Sequence, residues 1–163
     1  MALPIKLIPS LSIYKYSLIT KIGEGSFGEV WLAKDLAVDS IFAIKVLDAN
    51  CVSIDERLKE AKIGNHLVHQ NLIKMHNADV VPYTYTHGNS CNLVIITMDH
   101  KSKGSAVNLL NPNGFIQPNT VIGLMTDVLR GLEYLHNQDF YHNDIKPENI
   151  LLGENNEGIL TDY

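Results

Sequence analysis

Between Tyr141 and Leu152 the chain reads Tyr-His-Asn-Asp-Ile-Lys-Pro-Glu-Asn-Ile-Leu-Leu. Asp144 in this run can accept or orient the proton of an attacking hydroxyl. Lys146, two residues on, can neutralise charge on a phosphoryl group in transfer. Asn149 offers an amide oxygen, and Asp162, after a short apolar run, offers a carboxylate. Both suit Mg²⁺, a hard cation that prefers oxygen ligands. The plain alternative is a polar loop stopped by Pro147. So many typed positions in a row make phosphoryl chemistry the better reading.

A second group lies nearer the N-terminus. Ile22-Gly-Glu-Gly-Ser-Phe-Gly-Glu-Val30 carries Gly23, Gly25 and Gly28 in G-x-G-x-x-G spacing, with Glu24, Ser26 and Phe27 between them. Glycines let a backbone approach a phosphate closely with its N–H groups aimed at the oxygens. A glycine-rich hairpin with no ligand has the same spacing, so the motif alone is weak. Val30 and a strand follow it, whereas the dinucleotide-binding motif opens a helix. No Gly-Lys-[Ser/Thr] ending is present, which excludes a Walker-type loop.

Lys45 stands inside Ile-Phe-Ala-Ile-Lys-Val-Leu, where a buried lysine needs a partner. Strand alternation puts Ala43, Lys45 and Leu47 on one face. That face could roof a nucleobase beside a phosphate ligand; the plain alternative is a lysine with its head in water. Glu60, on the flank of a predicted helix, can supply Lys45 with a carboxylate, although nearby Asp55, Glu56 and Lys59 read as solvated charges.

The elements that must hold these residues follow from periodicity. Tyr16 to Gly23, Glu29 to Lys34 and Ile41 to Leu47 read as strands, and Lys74 to Val81 and Asn92 to Met98 as two more. Ser53 and Glu56 have capping-box spacing at the start of a helix. Residues 101 to 118 are rich in Gly, Asn and Pro and read as a connection, with one short helical turn at Ala106 to Leu110. A long helix follows Pro118, its apolar stripe made of Val121, Leu124, Met125, Val128, Leu129, Leu132 and Leu135. Ile150 to Leu152 and Ile159 to Thr161 form a closing hairpin.

In their order these motifs resemble the eukaryotic-type protein kinases, Ser/Thr-directed on account of the lysine two residues after Asp144. Gly23 to Gly28, Phe42-Ala-Ile-Lys45, His142-Asn-Asp-Ile-Lys-Pro-Glu-Asn149 and Thr161-Asp-Tyr163 carry the resemblance, which covers nearly everything from Tyr16 onward. It implies an α+β kinase-like fold: a five-stranded antiparallel N-lobe with one helix, then an incomplete helical C-lobe. The expected divisions are an N-terminal extension (1–15), an N-lobe (16–100) and the start of a C-lobe (101–163).

The implied cofactors are ATP and Mg²⁺. Ile22 and the glycine loop, with Glu24, Ser26 and Phe27, cover the nucleotide, and Val30, Ala43 and Leu151 sandwich adenine. Lys45 holds phosphates and pairs with Glu60, Met98 guards the back of the adenine pocket, and Asp99 to Lys101 form the hinge. Asp144 is the catalytic base, Lys146 supports the γ-phosphate, and Asn149 and Asp162 hold the metal.

Three departures from the family pattern stand out. Asn143 replaces an arginine that usually pairs with an activation-loop phosphate, and Tyr163 replaces the usual Phe, a mild change. The sequence also ends at Tyr163, before the family's activation segment. The expectation is therefore a catalytic kinase, here a fragment inactive alone or completed by another chain. The alternative is a non-catalytic nucleotide-binding or interaction module.

Composition restricts the partners. Thirteen Lys+Arg against eighteen Asp+Glu give a formal net charge of -5, and the densest basic cluster, Lys101 to Lys103, is short. Nucleic acid is not an expected partner. Pro4 and Pro9 interrupt the apolar N-terminus, and no stretch approaches the ~20 apolar residues that span a bilayer. Two cysteines fit a reducing cytoplasm. The expected partner is a protein substrate.

Overall fold

The computed structural model describes residues 6–25, 28–49, 66–84, 90–110 and 113–163. It divides into two units, Met1–His66 with Met75–His100, and Leu67–Lys74 with Lys101–Tyr163. The helix expected after Ser53, with Glu60, lies outside the described residues, as do Ser26 and Phe27 of the glycine segment.

The first unit is an antiparallel sheet of β1 (Ser12–Ile13), β2 (Tyr16–Gly25), β3 (Gly28–Asp35), β4 (Ser40–Asp48), β5 (Met75–Thr84) and β6 (Ser90–Met98). Among the described residues its order is β1-β2-β3-β4-β6-β5. Six strands stand where the sequence predicts five. The added strand has only two residues, too few for a period-2 pattern to register. It is secured instead by backbone bonds, Ser10 N–H to Leu18 O at 2.7 Å and Leu18 N–H to Leu11 O at 2.9 Å.

Alternation sorts β4 onto two faces. Ile44 and Val46 join Tyr16, Leu18, Trp31, Leu93 and Ile95 in the main core of this unit, to which Leu7 and Ile13 also belong. Leu47 joins Ala49 and Val94 in a separate cluster. Tyr16 is fully buried, and its hydroxyl lies 2.6 Å from Thr97 Oγ1, tying β2 to β6 across two intervening strands.

In the second unit the long helix, Pro118–His136, packs on the hairpin of β7 (Ile150–Leu152) and β8 (Gly158–Leu160). Proline at the first helical position gives up an N–H that has no helical partner there. The hairpin is flanked on both sides. Leu152 N–H donates to Gly104 O at 2.9 Å, and Leu160 N–H donates to Asn71 O at 2.8 Å. Ile73 N–H donates in turn to Leu160 O at 2.7 Å, so residues 71–73 run parallel to β8.

The buried stripe of the helix is narrower than periodicity predicts. Leu124, Val128, Gly131 and Leu135 are buried and Leu132 is half-buried, whereas Val121, Met125 and Leu129 are exposed. Among the described residues, β8 and residues 71–73 lie close against one narrow side of the helix. A Cβ on Gly131 would sit 3.0 Å from Asn71 O, and one on Gly158 would sit 3.0 Å from Leu124 O.

Candidate active site

In the first unit, β2 and β3 pair as far as Gly25 opposite Gly28, bringing the glycine segment to the end of a hairpin. The glycines have different local reasons. A Cβ on Gly28 would meet Val46 O at 2.1 Å, so this position is glycine because β4 leaves no room. A Cβ on Gly23 would meet only Val30 side-chain atoms, at an ordinary 3.5 Å. Packing therefore does not demand glycine at 23, and close approach of a ligand would. A register shift between Lys21 and Gly23 leaves Ile22 unpaired in the ladder and exposed. Glu24 is engaged by Lys21 at 2.8 Å, which holds its carboxyl below the usual range.

Val30 lies opposite Lys45, and Lys45 opposite Ile96; Ala43 lies opposite Leu32 and Met98. Paired residues share a face, so Val30, Ala43, Lys45 and Met98 form two adjoining rows on one side of the sheet. Ala43 and Met98 are buried and Lys45 is half-buried. Asp99 follows directly, its Oδ1 2.7 Å from His76 Nε2. Lys101 belongs to the second unit, where it lines a cleft of about 430 Å³ with Gln70, Asn71 and Asp127. Leu151 is half-buried on β7, opposite Ile159.

The second unit gathers the rest. Lys146 Nζ donates to Asp144 Oδ2 at 2.7 Å, and Asn149 Nδ2 donates to the same oxygen at 3.0 Å and to Asp144 O at 2.9 Å. Lys146, then Asn149, hold the Asp144 carboxyl below the usual range, and Asp144 in turn raises Lys146. Asp144 is thus ionised and a weak base, suited to orienting a hydroxyl. Asn143 has φ +60 and donates from Nδ2 to Tyr141 O at 3.2 Å. Asparagine tolerates that left-handed backbone better than most residues.

His142 is buried; its Nδ1 accepts from Asp144 N–H at 3.4 Å, and burial pushes its pKa down. Thr161 N–H donates to Asn149 O at 3.0 Å, which fastens the stretch bearing Asp162 to the stretch bearing Asn149. Asp162 is exposed, with φ +62.

Mg²⁺ fits this donor set. Both hydrogens of the Asn149 amide are committed to Asp144, which turns the amide oxygen away from Asp144. Asp162 adds a carboxylate on the neighbouring strand end. Both are hard oxygen donors.

Two features escape the sequence reading. Asn71 is buried, and its Nδ2 donates to Gly158 O at 2.9 Å. It sits in no periodic pattern that would announce it. The other is the Tyr163 hydroxyl, which donates to Ile73 O at 2.8 Å. Its signal was present, since tyrosine differs from the usual phenylalanine by that hydroxyl alone. Burial pushes the Tyr163 pKa up to about 12, so the group remains a donor at any ordinary pH.

Known proteins resemble this chain over most of its length. The model of the protein kinase domain matches residues 16–163. Aurora kinase of Saccharomyces cerevisiae is 30% identical over 158 residues, covering 94% of this chain and 41% of that protein. Aurora kinase B of Danio rerio is 29% identical over 157 residues, 94% of this chain and 46% of its own length. Serine/threonine-protein kinase fray1 of Dictyostelium discoideum is 32% identical over 155 residues, 91% of this chain and 25% of its own length. The chain belongs to the protein kinase family. It spans less than half the length of each of these three relatives.

Proposed function

We propose that this chain carries the nucleotide-binding and catalytic-loop parts of a kinase that moves the γ-phosphoryl of Mg-ATP to Ser or Thr hydroxyls of a protein. The observation that carries the reading is the Asp144–Lys146–Asn149 constellation, together with the backbone bond that fastens Asn149 to the Asp162 stretch. Asp144 accepts the hydrogen bond of the incoming hydroxyl and fixes its direction. Lys146 places a cation beside the same carboxylate, where negative charge from a phosphoryl group would gather. Asn149 and Asp162 hold the metal, which when bound neutralises phosphate charge. On the first unit, Gly23 gives a phosphate close access, Lys45 supplies a cation, and Ile22, Val30, Ala43 and Met98 form the apolar surface for adenine. Asp99 follows Met98 directly on the same unit. A cytoplasmic location belongs to the same reading, on the few cysteines.

Two measurements test it. Titration with Mg-ATP is expected to show binding that weakens in Lys45→Met; undiminished binding in that variant overturns the role of Lys45. Radiolabelled ATP with a generic protein substrate and a complete kinase domain that contains this chain is expected to give label on Ser or Thr. Asp144→Asn should lower the transfer rate by about 10²–10⁴-fold, the usual contribution of a positioned acid or base. Binding without transfer in that complete domain identifies the non-catalytic alternative.

A further inference from the structure

We propose that the Tyr163 hydroxyl is a latch that positions Asp162 for the metal, by taking the place of a backbone hydrogen bond that the Asp162 turn removes. Residues 158–160 run as a strand between β7 and residues 71–73. On the 71–73 side the bonds come in regular succession: Asn71 Nδ2 to Gly158 O, Leu160 N–H to Asn71 O, and Ile73 N–H to Leu160 O. A continuing strand would offer its next N–H to Ile73 O. Thr161 N–H faces the other side, where it donates to Asn149 O, and the backbone turns at Asp162, whose φ is +62. Ile73 is wholly buried, and an unpaired buried carbonyl is costly. The Tyr163 hydroxyl reaches back to that carbonyl at 2.8 Å and ends the succession with a side chain.

The consequence falls on Asp162. A left-handed backbone is unfavourable for a residue with a Cβ unless its surroundings enforce it. Asp162 is fixed on one side by the Thr161–Asn149 bond and on the other by Tyr163, whose ring packs edge-on to Phe140 at 6.3 Å and tilted to His142 at 6.4 Å. The rings hold the side chain in the second unit, and the hydroxyl fixes where along residues 71–73 it stops. Phenylalanine at 163 would keep the rings and lose the stop. Tyr163 is therefore a positioning residue, acting through Asp162, and the inference rests on the reading of Asp162 as a metal ligand.

The test is ATP binding by the full chain, measured without divalent metal and across a Mg²⁺ titration, for the natural chain, Tyr163→Phe, and Tyr163→p-aminophenylalanine, which restores an N–H donor on the same ring. Urea midpoints are measured alongside. The expected result is unchanged metal-free affinity in Tyr163→Phe, with half-saturating Mg²⁺ raised about three- to tenfold, the worth of one neutral hydrogen bond, and recovery in the amino variant. Equal Mg²⁺ dependence in all three overturns the inference. So does a loss in Tyr163→Phe that is the same with and without metal and tracks the urea midpoint, which marks a merely structural contact. A natural chain whose ATP affinity does not respond to Mg²⁺ refutes the metal reading of Asp162, and the latch falls with it.

Discussion

Gly23 and Gly28 share a motif and have separate physical reasons. Alanine at 28 would drive a Cβ to 2.1 Å from Val46 O, a backbone atom that cannot swing aside. Gly28→Ala should therefore destabilise the first unit by at least ~1–3 kcal/mol, as overpacking does. Gly23→Ala meets only ordinary contacts and should keep the urea midpoint while weakening ATP binding; a midpoint loss equal to that of Gly28→Ala would contradict this. His142 makes a pH prediction. Burial holds its pKa below the ordinary value, ~6.5 for an unfolded chain. As pH falls through ~6.5 the unfolded state takes up a proton before the folded state does, so stability falls with pH there. Above that range this residue contributes no slope. Urea midpoints at pH 7.5 and 5.5 should differ more in the natural chain than in His142→Phe, and equal differences would show that His142 is not responsible.

At the scale of elements, the long helix contains two glycines with opposite expectations. Alanine is favoured over glycine inside a helix by about 1 kcal/mol. A Cβ on Gly123 meets nothing within 4 Å, so Gly123→Ala should gain most of that amount. A Cβ on Gly131 lies 3.0 Å from Asn71 O and 3.2 Å from Leu160 Cδ1. Gly131→Ala must push the helix off β8 and residues 71–73, and should lose stability despite its better propensity. Thermal unfolding of both variants decides the matter, and a gain in each would mean that the helix packs less closely than described. The same contacts explain what the sequence concealed. Strands of eight to ten residues were legible because alternation persists over several periods, as in β3 and β4. β1 has two residues, and the 71–73 segment joins β8 through backbone groups and Asn71. Neither writes a period into the sequence. The grouping of Asp144, Lys146 and Asn149 was legible for the opposite reason, since residue types at fixed spacing need no period.

For the whole molecule, the unresolved question from sequence was how much of an amphipathic surface is covered. Periodicity reports that a face is apolar and cannot report what lies against it. The seven-residue stripe of the long helix reads as one apolar face, and only part of it enters the cluster with Leu72, Ile150, Leu152 and Leu160. Ile122, Met125 and Leu129 are spaced i, i+3, i+7 and face solvent at 64%, 43% and 60% exposure. Val128, adjacent to Leu129, is wholly buried. These neighbours make a sharp test of where the covered face ends. Val128→Lys would bury an ammonium with no partner among the apolar residues of that cluster, and should cost more than ~4 kcal/mol, in the extreme tail of single substitutions. Leu129→Lys places its charge in water, one helical turn before Glu133, and should change stability by no more than ~0.5 kcal/mol. It also interrupts an apolar surface that favours self-association, so sedimentation at rising concentration should show less association than in the natural chain. Urea unfolding followed by circular dichroism separates the two variants. A large loss in Leu129→Lys would place that side chain in the core, and the boundary of the buried stripe would then have to be drawn wider, as periodicity alone draws it.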